Sequence, residues 1–444
     1  MAATGRTLGV ALVGCGTVGG AVASLLARDQ DILASRSQIH LHLRHIVDIQ
    51  FDRARQLGLD EGLFRQDLEA ALSDPQVQAV VELVGGVEFA RTVITRALKA
   101  GRHVVTANKA LLAHHGPELM ALARAHDVCI GFEASCAGGI PIIRALTDGL
   151  IANRIDALYG IVNGTCNYIL SEMTQHGRSY ATVLKAAQKQ GLAEADPTLD
   201  VAGIDSAHKL AILAALAFGQ QIKFEAIPTS GIDKLHLCDV NYGQELGYVV
   251  KLLAIAQRQE EGLSLRVRPA FIPKSHPLAW VSGPFNAVSV YGHATGHTMY
   301  YGRGAGGMPT ASAVVADLTS VALGTAPLAF KHLGIWPDRC PVANQLPIGA
   351  VRSRYYLRIM AEDAPGVLAQ ISAILGDHKI SIRSVLQHEA PEGEDQAAGV
   401  PVVITTHRAQ EGAVGQALQK VDALKVVRGR TVCIPIVDEH PEVL

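Results

Sequence analysis

The first third of the chain alternates short apolar runs with segments of helical periodicity. Residues 7–13 form an unbroken apolar run, a glycine loop follows, and "TVGGAVASLL" then repeats its apolar residues at helical spacing. Further apolar runs predict strands at 39–48, 77–85, 102–109 and 128–136. Residues 91–101 predict a helix that ends at a glycine. This alternation predicts an α/β fold with a Rossmann-like, doubly wound parallel sheet, in a dinucleotide-binding domain of residues 1–140.

The pattern changes after residue 140, where longer helical segments separate the apolar runs. We predict strands at 155–162, 265–273, around 280–291 and at 298–301. We predict helices at 167–176, 179–190, 198–218 and 243–257. These elements indicate a second α/β domain of residues 141–308 with a mixed or antiparallel sheet. A helix at 307–324 carries Pro309 in its first turn, and segment 309–345 is expected to return the chain to the first domain.

The last 90 or so residues have a third pattern. Residues 340–352 have the composition of a linker. The order of strands and helices over 352–436 is βαββαβ, which predicts a ferredoxin-like domain. The charged loop "EAPEGEDQAAG" at 389–399, between its middle strands, is expected to be solvated and mobile.

Composition supports this organisation and narrows the function. A chain of 444 residues is longer than one hydrophobic core usually supports. The net charge of −2 gives no electrostatic reason to expect nucleic acid or an anionic membrane as a partner. No apolar run reaches the length of a membrane span, and no signal peptide precedes the glycine loop. Seven scattered cysteines without a C-x-x-C pair predict reduced thiols in a cytoplasmic protein.

The glycine loop "GCGTVGG" predicts a dinucleotide site. Gly14, Gly16 and Gly19 have the G-x-G-x-x-G spacing, directly after a strand and at the start of a helix. The first glycine permits a tight turn, the second lets a pyrophosphate approach, and the third allows close packing of helix and strand. Asp48 is the candidate ribose-binding acid, although it lies further from the loop than the usual 20 or so residues.

The choice between NAD and NADP stays open at this stage. Arg53 and Arg55 follow Asp48 and could meet a 2′-phosphate instead of a ribose hydroxyl.

The segment "EADPTLDVAGIDSAHK" at 194–209 places acids and a lysine before the apolar run "LAILAALAF". Asp205 and Lys209 are four residues apart and share one face of a helix. An ordinary surface ion pair is the alternative, but this helix is apolar nearly all round, so its first turns should lie in a cleft. Glu194 could bind a substrate ammonium. Asp200 should point about 140° away from Asp205 on a continuous helix and is therefore a weaker candidate.

Other candidates are weighed against simpler interpretations. Lys109 ends a strand at the sheet edge where ligands bind, or it is a solvated lysine at a helix start. Cys136 suggests a nucleophile, but no histidine lies near it in sequence, so a small buried thiol is favoured. Glu133 and turned carbonyls could hold a hard cation. His293 and His297 lie in a predicted strand–turn–strand, where surface histidines are more common than a zinc site.

Several of these segments together resemble a known family. "GIVNGTCNYIL", "GLAEADPTLDVAGIDSAHKL" and "YYGRGAGGMPTASAVVADL" resemble the signature stretches of homoserine dehydrogenase. "GCGTVGG", "VELVGG", "TANKALLA" and "FEASCAGGIPII" extend the resemblance from residue 7 to about 345. Residues 363–385, "DAPGVLAQISAILGDHKISIRSV", are similar to an ACT domain, which binds small amino acids. The combination resembles the bacterial monofunctional, feedback-regulated form of the enzyme.

The resemblance implies a reaction, a regulator and an assembly. The reaction is the reversible NAD(P)H-dependent reduction of L-aspartate 4-semialdehyde to L-homoserine, on the path to threonine, isoleucine and methionine. The middle domain would bind substrate and form a dimer contact, in a homodimer or homotetramer. L-threonine would be the allosteric effector at the ACT domain. A chain cut at about residue 351 would then keep its activity and lose the inhibition.

The resemblance also implies roles for individual residues. The catalytic group would comprise Lys209, Lys109 and Asp205. The substrate would be bound by Glu194, Asp200, Thr165 and Gly164. The cofactor would be bound by Gly14, Gly16, Thr17, Val18, Gly19, Asp48, Thr106, Lys109, Gly304 and Gly306. A monovalent cation such as sodium would be held at Glu133, Cys136, Gly138 and Ile140. Val47 stands where the family often has a basic residue for the 2′-phosphate, so NAD use is expected to be possible.

Two rival functions accompany this interpretation. One is a phosphorylating semialdehyde dehydrogenase that uses Cys136 as its nucleophile. The other is an NAD(H)-responsive amino-acid sensor without enzyme activity. Neither accounts for the group formed by Glu194, Asp205 and Lys209.

Overall fold

A computed structural model describes residues 6–388 and 399–441. The first unit is a six-stranded sheet in the order β3-β2-β1-β4-β5-β6, with every described pairing parallel. Its strands are β1 Arg6–Val13, β2 Ile39–Val47, β3 Phe64–Arg65, β4 Ala79–Glu82, β5 His103–Thr106 and β6 Ile130–Gly131. Its helices are α1 Thr17–Arg28, α2 Gln30–Ser37, α3 Asp52–Gln56, α4 Leu68–Leu72, α5 Glu88–Lys99 and α6 Lys109–Ala125. The predicted Rossmann-like sheet is confirmed.

The strands of this sheet are apolar because helices cover both of its faces. The last three strands are shorter than predicted, since the apolar runs continue into the loops that carry the site. Two helices, α1 and α2, fill the long interval between the glycine loop and Asp48.

The second unit has an antiparallel sheet in the order β11-β10-β7-β8-β9. Its strands are β7 Ile155–Ile161, β8 Tyr248–Gln259, β9 Gly262–Pro273, β10 Phe285–Gly292 and β11 Gly296–Arg303. Its helices are α7 Ile142–Arg144, α8 Gly164–His176, α9 Tyr180–Lys189, α10 Thr198–Val201, α11 Ile204–Phe218 and α12 Leu237–Glu245. The described part of the chain therefore contains the second α/β unit that the sequence predicted.

The predicted helix at 243–257 is wrong. Helix α12 ends at Glu245, Gly247 has a φ of 86°, and the chain continues as strand β8. The segment "YVVKLLAIA" is buried on both faces, so its apolar residues show no alternation that would have indicated a strand.

The predicted helix at 198–218 is broken into α10 and α11. Gly203 has a φ of 84°, a left-handed conformation that a glycine adopts without strain. A Cβ there would lie 3.2 Å from side chains of Thr229 and Val267, so the break is also closely packed. The break reorients the two acids that flank it.

Two helices return the chain to the first unit. Helix α13 (Gly307–Leu323) begins with Pro309 in its first turn, as predicted, and packs against α1 and the parallel sheet. Helix α14 (Thr325–His332) follows. Within 6–388 and 399–441, no single helix is long and apolar enough to cross a membrane; a pair, Gly307–Leu323 with Thr325–Arg339, meets the length and composition criteria together but is bent by 81°.

The third unit has the predicted βαββαβ order. Its strands are β12 Arg352–Ala361, β13 Ile382–Gln387, β14 Val400–Thr406, β15 Ala409–Gln410 and β16 Val432–Ile436. Its helices are α15 Val367–Asp377 and α16 Glu411–Asp422. The sheet order β16-β12-β14-β13 is the ferredoxin-like one. Most of the loop expected to be mobile, residues 389–398, lies outside the described residues.

This unit contacts the second unit directly and is not connected to it by a linker alone. Strand β16 pairs in parallel with β9, at Ile436 and Phe271, so one sheet runs through both units. The expected linker is itself fixed, because the carbonyls of Pro341 and Asn344 accept backbone hydrogen bonds from the second unit. The exact domain limits stay a prediction.

Candidate active site

A cleft of about 670 Å³ lies between the carboxyl edge of the parallel sheet and the helices α10 and α11. Its wall includes Thr17 and Val18 of the glycine loop, Lys109 at the start of α6, and Asp205 on α11. Ligands of doubly wound sheets bind at this edge. The fold therefore brings the predicted cofactor and catalytic residues to one cavity.

The glycine loop is packed on one side and open on the other. A Cβ on Gly14, whose φ is 94°, would lie 2.7 Å from the Leu83 carbonyl oxygen, and one on Gly19 would lie 1.9 Å from the Gly14 oxygen. A Cβ on Gly16 would meet no atom within 4 Å. Gly14 and Gly19 are therefore needed for packing, whereas Gly16 leaves room for a pyrophosphate at the start of α1.

Asp48 supports this loop from the end of β2. One carboxylate oxygen accepts a hydrogen bond from the amide of Cys15 at 2.6 Å, and the other accepts one from the amide of Ile49 at 2.7 Å. Arg53 lies beside α1, where a Cβ on Gly20 would be 2.9 Å from its Nε. Arg55 instead pairs with Glu61 at 3.1 Å. Of the two arginines considered, only Arg53 stays next to the glycine loop.

Asp205 is the centre of a buried charge cluster. Its Oδ2 accepts hydrogen bonds from Lys209 Nζ at 2.8 Å and from the Asn163 amide at 2.9 Å. Its Oδ1 lies 3.0 Å from Lys109 Nζ. Asp205 and Lys209 are 6% and 7% exposed and lie away from bulk water, whereas the side chain of Lys109 is 40% exposed.

This arrangement fixes the charges. Burial alone would raise the pKa of Asp205, but the charges of Lys209 and Lys109 outweigh it and hold this pKa well below its usual value. The charge of Asp205 raises the pKa of Lys109, against the effect of burial. The acid is therefore ionised and Lys109 protonated at neutral pH.

Each lysine keeps hydrogen-bonding capacity for a ligand. Lys209 Nζ donates to Asp205 and, at 2.7 Å, to the carbonyl oxygen of Val162. An ammonium has three donors, so one N–H of Lys209 remains. Lys109 has Asp205 as its ion-pair partner within the described chain, so more than one of its N–H donors remains.

The prediction that Asp200 points away from Asp205 is wrong. Because the helix breaks at Gly203, both acids reach the same amide group: Asn163 Nδ2 donates to Asp200 Oδ1 at 2.7 Å as well as to Asp205. Asp200 lines the cleft together with Glu194 and Asp196. The cleft therefore carries a row of carboxylates on its α10 side.

Thr165 and Gly164 lie at the start of α8, beside the cleft rather than on its wall. The hydroxyl of Thr165 donates to the Leu192 carbonyl at 2.7 Å, which fixes the chain that leads to Glu194. A Cβ on Gly164 would lie 2.8 Å from the Pro284 oxygen. Neither residue is among those that line the cleft, and their contact with substrate stays a prediction.

The sequence interpretation missed Asn163 and Glu82. Asn163 follows strand β7 and accepts a hydrogen bond from the Cys166 amide, so an asparagine between a strand and a helix was the available signal. Glu82 ends β4, is buried, lines the cleft, and accepts a hydrogen bond from the Thr106 hydroxyl at 2.6 Å. Thr106 is fully buried and thus supports the cleft through Glu82.

The "GRGAG" loop at 302–306 lies next to the glycine loop, where the cofactor is expected to bind. A Cβ on Gly307 would lie 3.2 Å from the carbonyl oxygen of Thr17, so this loop and the glycine loop are neighbours. Gly306 has a φ of 122°, and Gly304 packs against the amide of Asn286.

Comparison with known proteins identifies the family and supports the fold. Residues 14–133 match the family model "Homoserine dehydrogenase, NAD binding domain", residues 141–319 match "Homoserine dehydrogenase", and residues 355–423 match "ACT domain". This chain belongs to the homoserine dehydrogenase family. It is an oxidoreductase of amino-acid biosynthesis, with an NAD-binding domain and an ACT domain.

Individual homoserine dehydrogenases agree over the full length. The chain is 46% identical over 430 residues to the enzyme of Pseudomonas aeruginosa, covering 96% of this chain and 98% of that one. It is 42% identical over 425 residues to that of Neisseria gonorrhoeae, covering 95% and 97%. A structure of the Thiobacillus denitrificans enzyme has a TM-score of 0.91 at 45% identity, covering 98% and 99%.

The loop at 133–140 differs from a nucleophile site. Cys136 is completely buried, and burial raises its pKa to about 12, so a thiolate is disfavoured. This argues against the rival that uses Cys136, and the enzyme family argues against the sensor.

Glu133 caps the short helix α7. Its carboxylate accepts hydrogen bonds from the amides of Ile143 at 2.8 Å and Arg144 at 3.0 Å. Burial, and secondarily the nearby Asp317, raise the pKa of Glu133 to about 7. In the described ranges no three His, Cys, Asp or Glu side chains form a metal cluster.

His293 lies on the predicted turn between β10 and β11, whereas His297 is the second residue of β11. His293 is exposed, as expected for a surface residue. His297 is half-buried and stacks on Tyr291 with ring centroids 4.5 Å apart, so the expectation of a surface histidine is wrong for it.

Proposed function

We propose that the cleft catalyses the reversible NAD(P)H-dependent reduction of L-aspartate 4-semialdehyde to L-homoserine. The observation that carries this proposal is the pair of ammonium groups, Lys209 and Lys109, that meet at opposite oxygens of Asp205. Lys109 and Asp205 line the cavity that the glycine loop enters, whereas Lys209 is not among the lining residues and is bound to Asp205. An aldehyde oxygen placed there would meet N–H donors that the protein itself leaves unpaired.

The residues can carry the charge that forms during reduction. When bound, the nicotinamide would supply a hydride to the aldehyde carbon. Lys209 would stabilise the negative charge that grows on the carbonyl oxygen and then deliver a proton to it. Asp205 would keep both lysines in place, and Lys109 would add a second positive charge. In homoserine oxidation the same groups act in reverse.

The substrate's amino group has a separate partner. Glu194, which lines the cleft near Asp196 and Asp200, would bind the ammonium, with Asp200 held by Asn163. Thr165 and Gly164 would set the position of this segment. The opposite charges of lysines and acids would therefore orient the two ends of the substrate.

We propose that Lys209→Ala removes most turnover. Loss of general acid assistance lowers kcat by about 10² to 10⁴-fold. The dissociation constant of NAD(P)H should stay close to that of the wild type, because the glycine loop is untouched. Homoserine oxidation followed at 340 nm, with cofactor fluorescence titration, measures both.

Lys331→Ala is the matched control, since Lys331 is exposed and paired with Asp127 on the far side of the parallel sheet. A Lys209→Ala protein with more than about a tenth of wild-type kcat would remove Lys209 from the proton-transfer role.

We propose that both NAD and NADP are accepted. The described loop fits a dinucleotide, since Gly16 leaves open space while Gly14 and Gly19 pack. The structure of a hyperthermophilic archaeal homoserine dehydrogenase was solved in complex with NADPH. It is 26% identical to this chain with a TM-score of 0.60, and the match covers 71% of this chain and 98% of the archaeal one. Val47 offers no charge to a 2′-phosphate, so Arg53 is the candidate ligand for it.

We propose L-threonine as an inhibitor that binds the ACT domain. The expected truncation at about residue 351 is a poor test, because it would leave Asp239 without Arg358 and uncover Phe271, whose ring packs against Tyr356. Homoserine oxidation by the full chain, with and without threonine, is the better measurement. Activity that is insensitive to threonine would contradict the proposal.

We propose that Glu133 and the carbonyls of Cys136, Gly138 and Ile140 hold a monovalent cation. Ala137 has a φ of 49°, an uncommon conformation for alanine that turns this short loop. Glu133 keeps acceptor capacity after its two amide bonds. Replacing sodium by tetramethylammonium at constant ionic strength should lower activity or stability, and no change in either would contradict the site.

We also propose a homodimer or homotetramer. Light scattering after size-exclusion chromatography measures the mass, and a monomer would contradict this.

A further inference from the structure

A buried lysine that the mechanism above does not use connects helix α8 with the loop beside it. Lys251 of β8 is 2% exposed. Its Nζ donates hydrogen bonds to Asn167 Oδ1 at 3.2 Å and to the Val281 carbonyl oxygen at 2.5 Å, and no carboxylate of the described residues pairs with it. A buried charge without a counter-charge is costly, and a methionine would occupy a similar volume without that cost. The charge therefore points to a role beyond packing.

Asn167 of α8 extends this contact to several loop carbonyls. Its amide nitrogen donates to the carbonyl oxygens of Val281 at 3.2 Å, Gly283 at 2.9 Å and Phe285 at 3.2 Å. Because its amide oxygen accepts from Lys251, both ends of this side chain have partners. The buried lysine and asparagine together hold α8 against the segment 281–285.

The same helix begins at the active site. Asn163 is its N-cap, with a side-chain oxygen that accepts from an amide of the first turn and a carbonyl that accepts from the Asn167 amide at 3.1 Å. Gly164 packs on the segment 281–285, since a Cβ there would lie 2.8 Å from the Pro284 oxygen. This segment therefore contacts α8 at Gly164 and Asn167, and so sets where the helix begins.

The position of Asn163 reaches the catalytic group directly. Its Nδ2 donates to Asp205 Oδ2 at 2.9 Å and to Asp200 Oδ1 at 2.7 Å. The same oxygen of Asp205 binds Lys209 Nζ at 2.8 Å. A misplacement of about 1 Å in a group that orients a reaction can lower its rate about 10²-fold. A shift of the start of α8 would therefore be felt at the lysine that transfers the proton.

We propose that Lys251 is a positioning residue for the reaction, which acts through Asn167 and Asn163 on the orientation of Asp205. Its ammonium holds α8 where one amide group can bind both acids of the cleft. The proposal rests on the proposed function, because proton transfer at Lys209 is the step that the orientation of Asp205 affects.

A double-mutant cycle between Lys251 and Asn163 tests this proposal. Lys251→Met keeps the length of the side chain and removes the ammonium. Asn163→Ser keeps a hydroxyl at the N-cap and removes the amide that binds the acids. We expect each single variant to lower kcat for homoserine oxidation about 10- to 100-fold. The double variant should stay within about threefold of Asn163→Ser alone, because residues in one network have non-additive effects.

Two further measurements separate positioning from stability. The dissociation constant of NAD(P)H should stay that of the wild type in every variant, since the glycine loop belongs to the first unit. Lys251→Gln keeps an N–H donor without the charge and should recover part of the lost kcat. Urea denaturation of each preparation establishes that the assayed protein is folded.

Arg266→Met is the matched control. Arg266 is also buried, at 4% exposed, on the neighbouring strand β9, but its guanidinium donates to Ser264 Oγ at 2.8 Å and Gln257 Oε1 at 2.9 Å instead of to α8. Its kcat should lie within about twofold of the wild type, and its effect should multiply with that of Asn163→Ser.

Losses in Lys251→Met that multiply with those of Asn163→Ser, or a loss of stability with unchanged kcat, would overturn the proposal and leave Lys251 as a core residue. If Lys251→Met does not fold, Lys251→Gln takes its place in the cycle under the same criteria. A wild type that fails to oxidise homoserine would instead contradict the proposed function.

Discussion

Two buried carboxylates of the second unit, Asp205 and Asp239, show how similar burial serves different purposes. Asp239 on α12 is 0% exposed and accepts hydrogen bonds from Arg358 Nε at 2.6 Å, from its second nitrogen at 3.0 Å, and from the Tyr356 hydroxyl at 2.9 Å. Both partners come from β12, so the cluster joins the ACT domain to the second unit.

Asp205 is paired with the ammonium groups of two lysines, whereas Asp239 is paired with the planar guanidinium of one arginine. A guanidinium that meets a carboxylate with two parallel bonds is geometrically complete, whereas an ammonium bound to one oxygen keeps other donors. The Asp205 cluster also borders a cavity, and none of the cavity-lining residues belongs to the Asp239 cluster. A buried charge cluster that borders a cavity is organised for a ligand, and one away from the cavity is organised for attachment.

The largest expected effect is on stability at the Asp239 cluster. Arg358→Met should lower the free energy of unfolding by about 3 to 5 kcal/mol, because it leaves a buried carboxylate without its counter-charge. Urea denaturation measures this, and kcat without effector should stay within about twofold, since the cleft is distant from this contact. A loss below about 1 kcal/mol would mean that the ion pair is not a structural attachment.

Asp205→Asn should lower kcat strongly and the free energy of unfolding less, the reverse of Arg358→Met. The amide keeps the shape but leaves two ammonium groups without a negative partner, so kcat should fall by about 10³-fold. The unfolding free energy should change less than in Arg358→Met, because Lys109 is half-exposed and can turn to water. Kinetics and denaturation on the same preparations test this, and a variant that keeps wild-type kcat would end the comparison.

Lys251 is a third buried charge, and it has no carboxylate partner among the residues that the structure describes. It is 2% exposed, and its Nζ donates to Asn167 Oδ1 at 3.2 Å and to the Val281 carbonyl at 2.5 Å. Burial lowers its pKa from 10.5 to about 8. Between these values the unfolded chain binds a proton that the folded protein does not, so stability contributed by this site rises with pH across this window.

Lys251→Met removes this titration. The unfolding free energy of Lys251→Met minus that of the wild type should be largest at or below about pH 8. This difference should decrease by about 3 kcal/mol between about pH 8 and pH 10.5, because the wild type gains stability over that range. Denaturation curves at a series of pH values measure the shift. A difference that is constant over this range would show that Lys251 does not titrate there.

The smallest effect concerns an exposed charge. Arg53→Gln should lower kcat/KM for NADP by about tenfold, the loss of one charge-assisted hydrogen bond to a 2′-phosphate, and leave kcat/KM for NAD nearly unchanged. Arg55→Gln is the control, because Arg55 pairs with Glu61. Equal losses with both cofactors, or no loss with NADP, would remove Arg53 from cofactor selection.

Much of the site could be predicted because its signals are local. The spacing of Gly14, Gly16 and Gly19 and the four-residue interval between Asp205 and Lys209 depend on turn and helix geometry alone. Asn163 and Glu82 were missed because an asparagine or a glutamate becomes informative only when the chain folds distant segments around it. The direction of Asp200 was predicted wrongly because a single glycine ended the assumed helix.

The sequence by itself determined the parallel sheet, the ferredoxin-like order of the last unit and the identity of the lysine–carboxylate pair, because these depend on periodicity and short spacings. Only the tertiary structure decided that residues 248–259 form a strand, that β16 joins β9, and that Asn163 connects two acids. An apolar segment covered on both faces has no periodicity to distinguish strand from helix, and a contact between residues far apart in the chain is set by packing rather than by local preference.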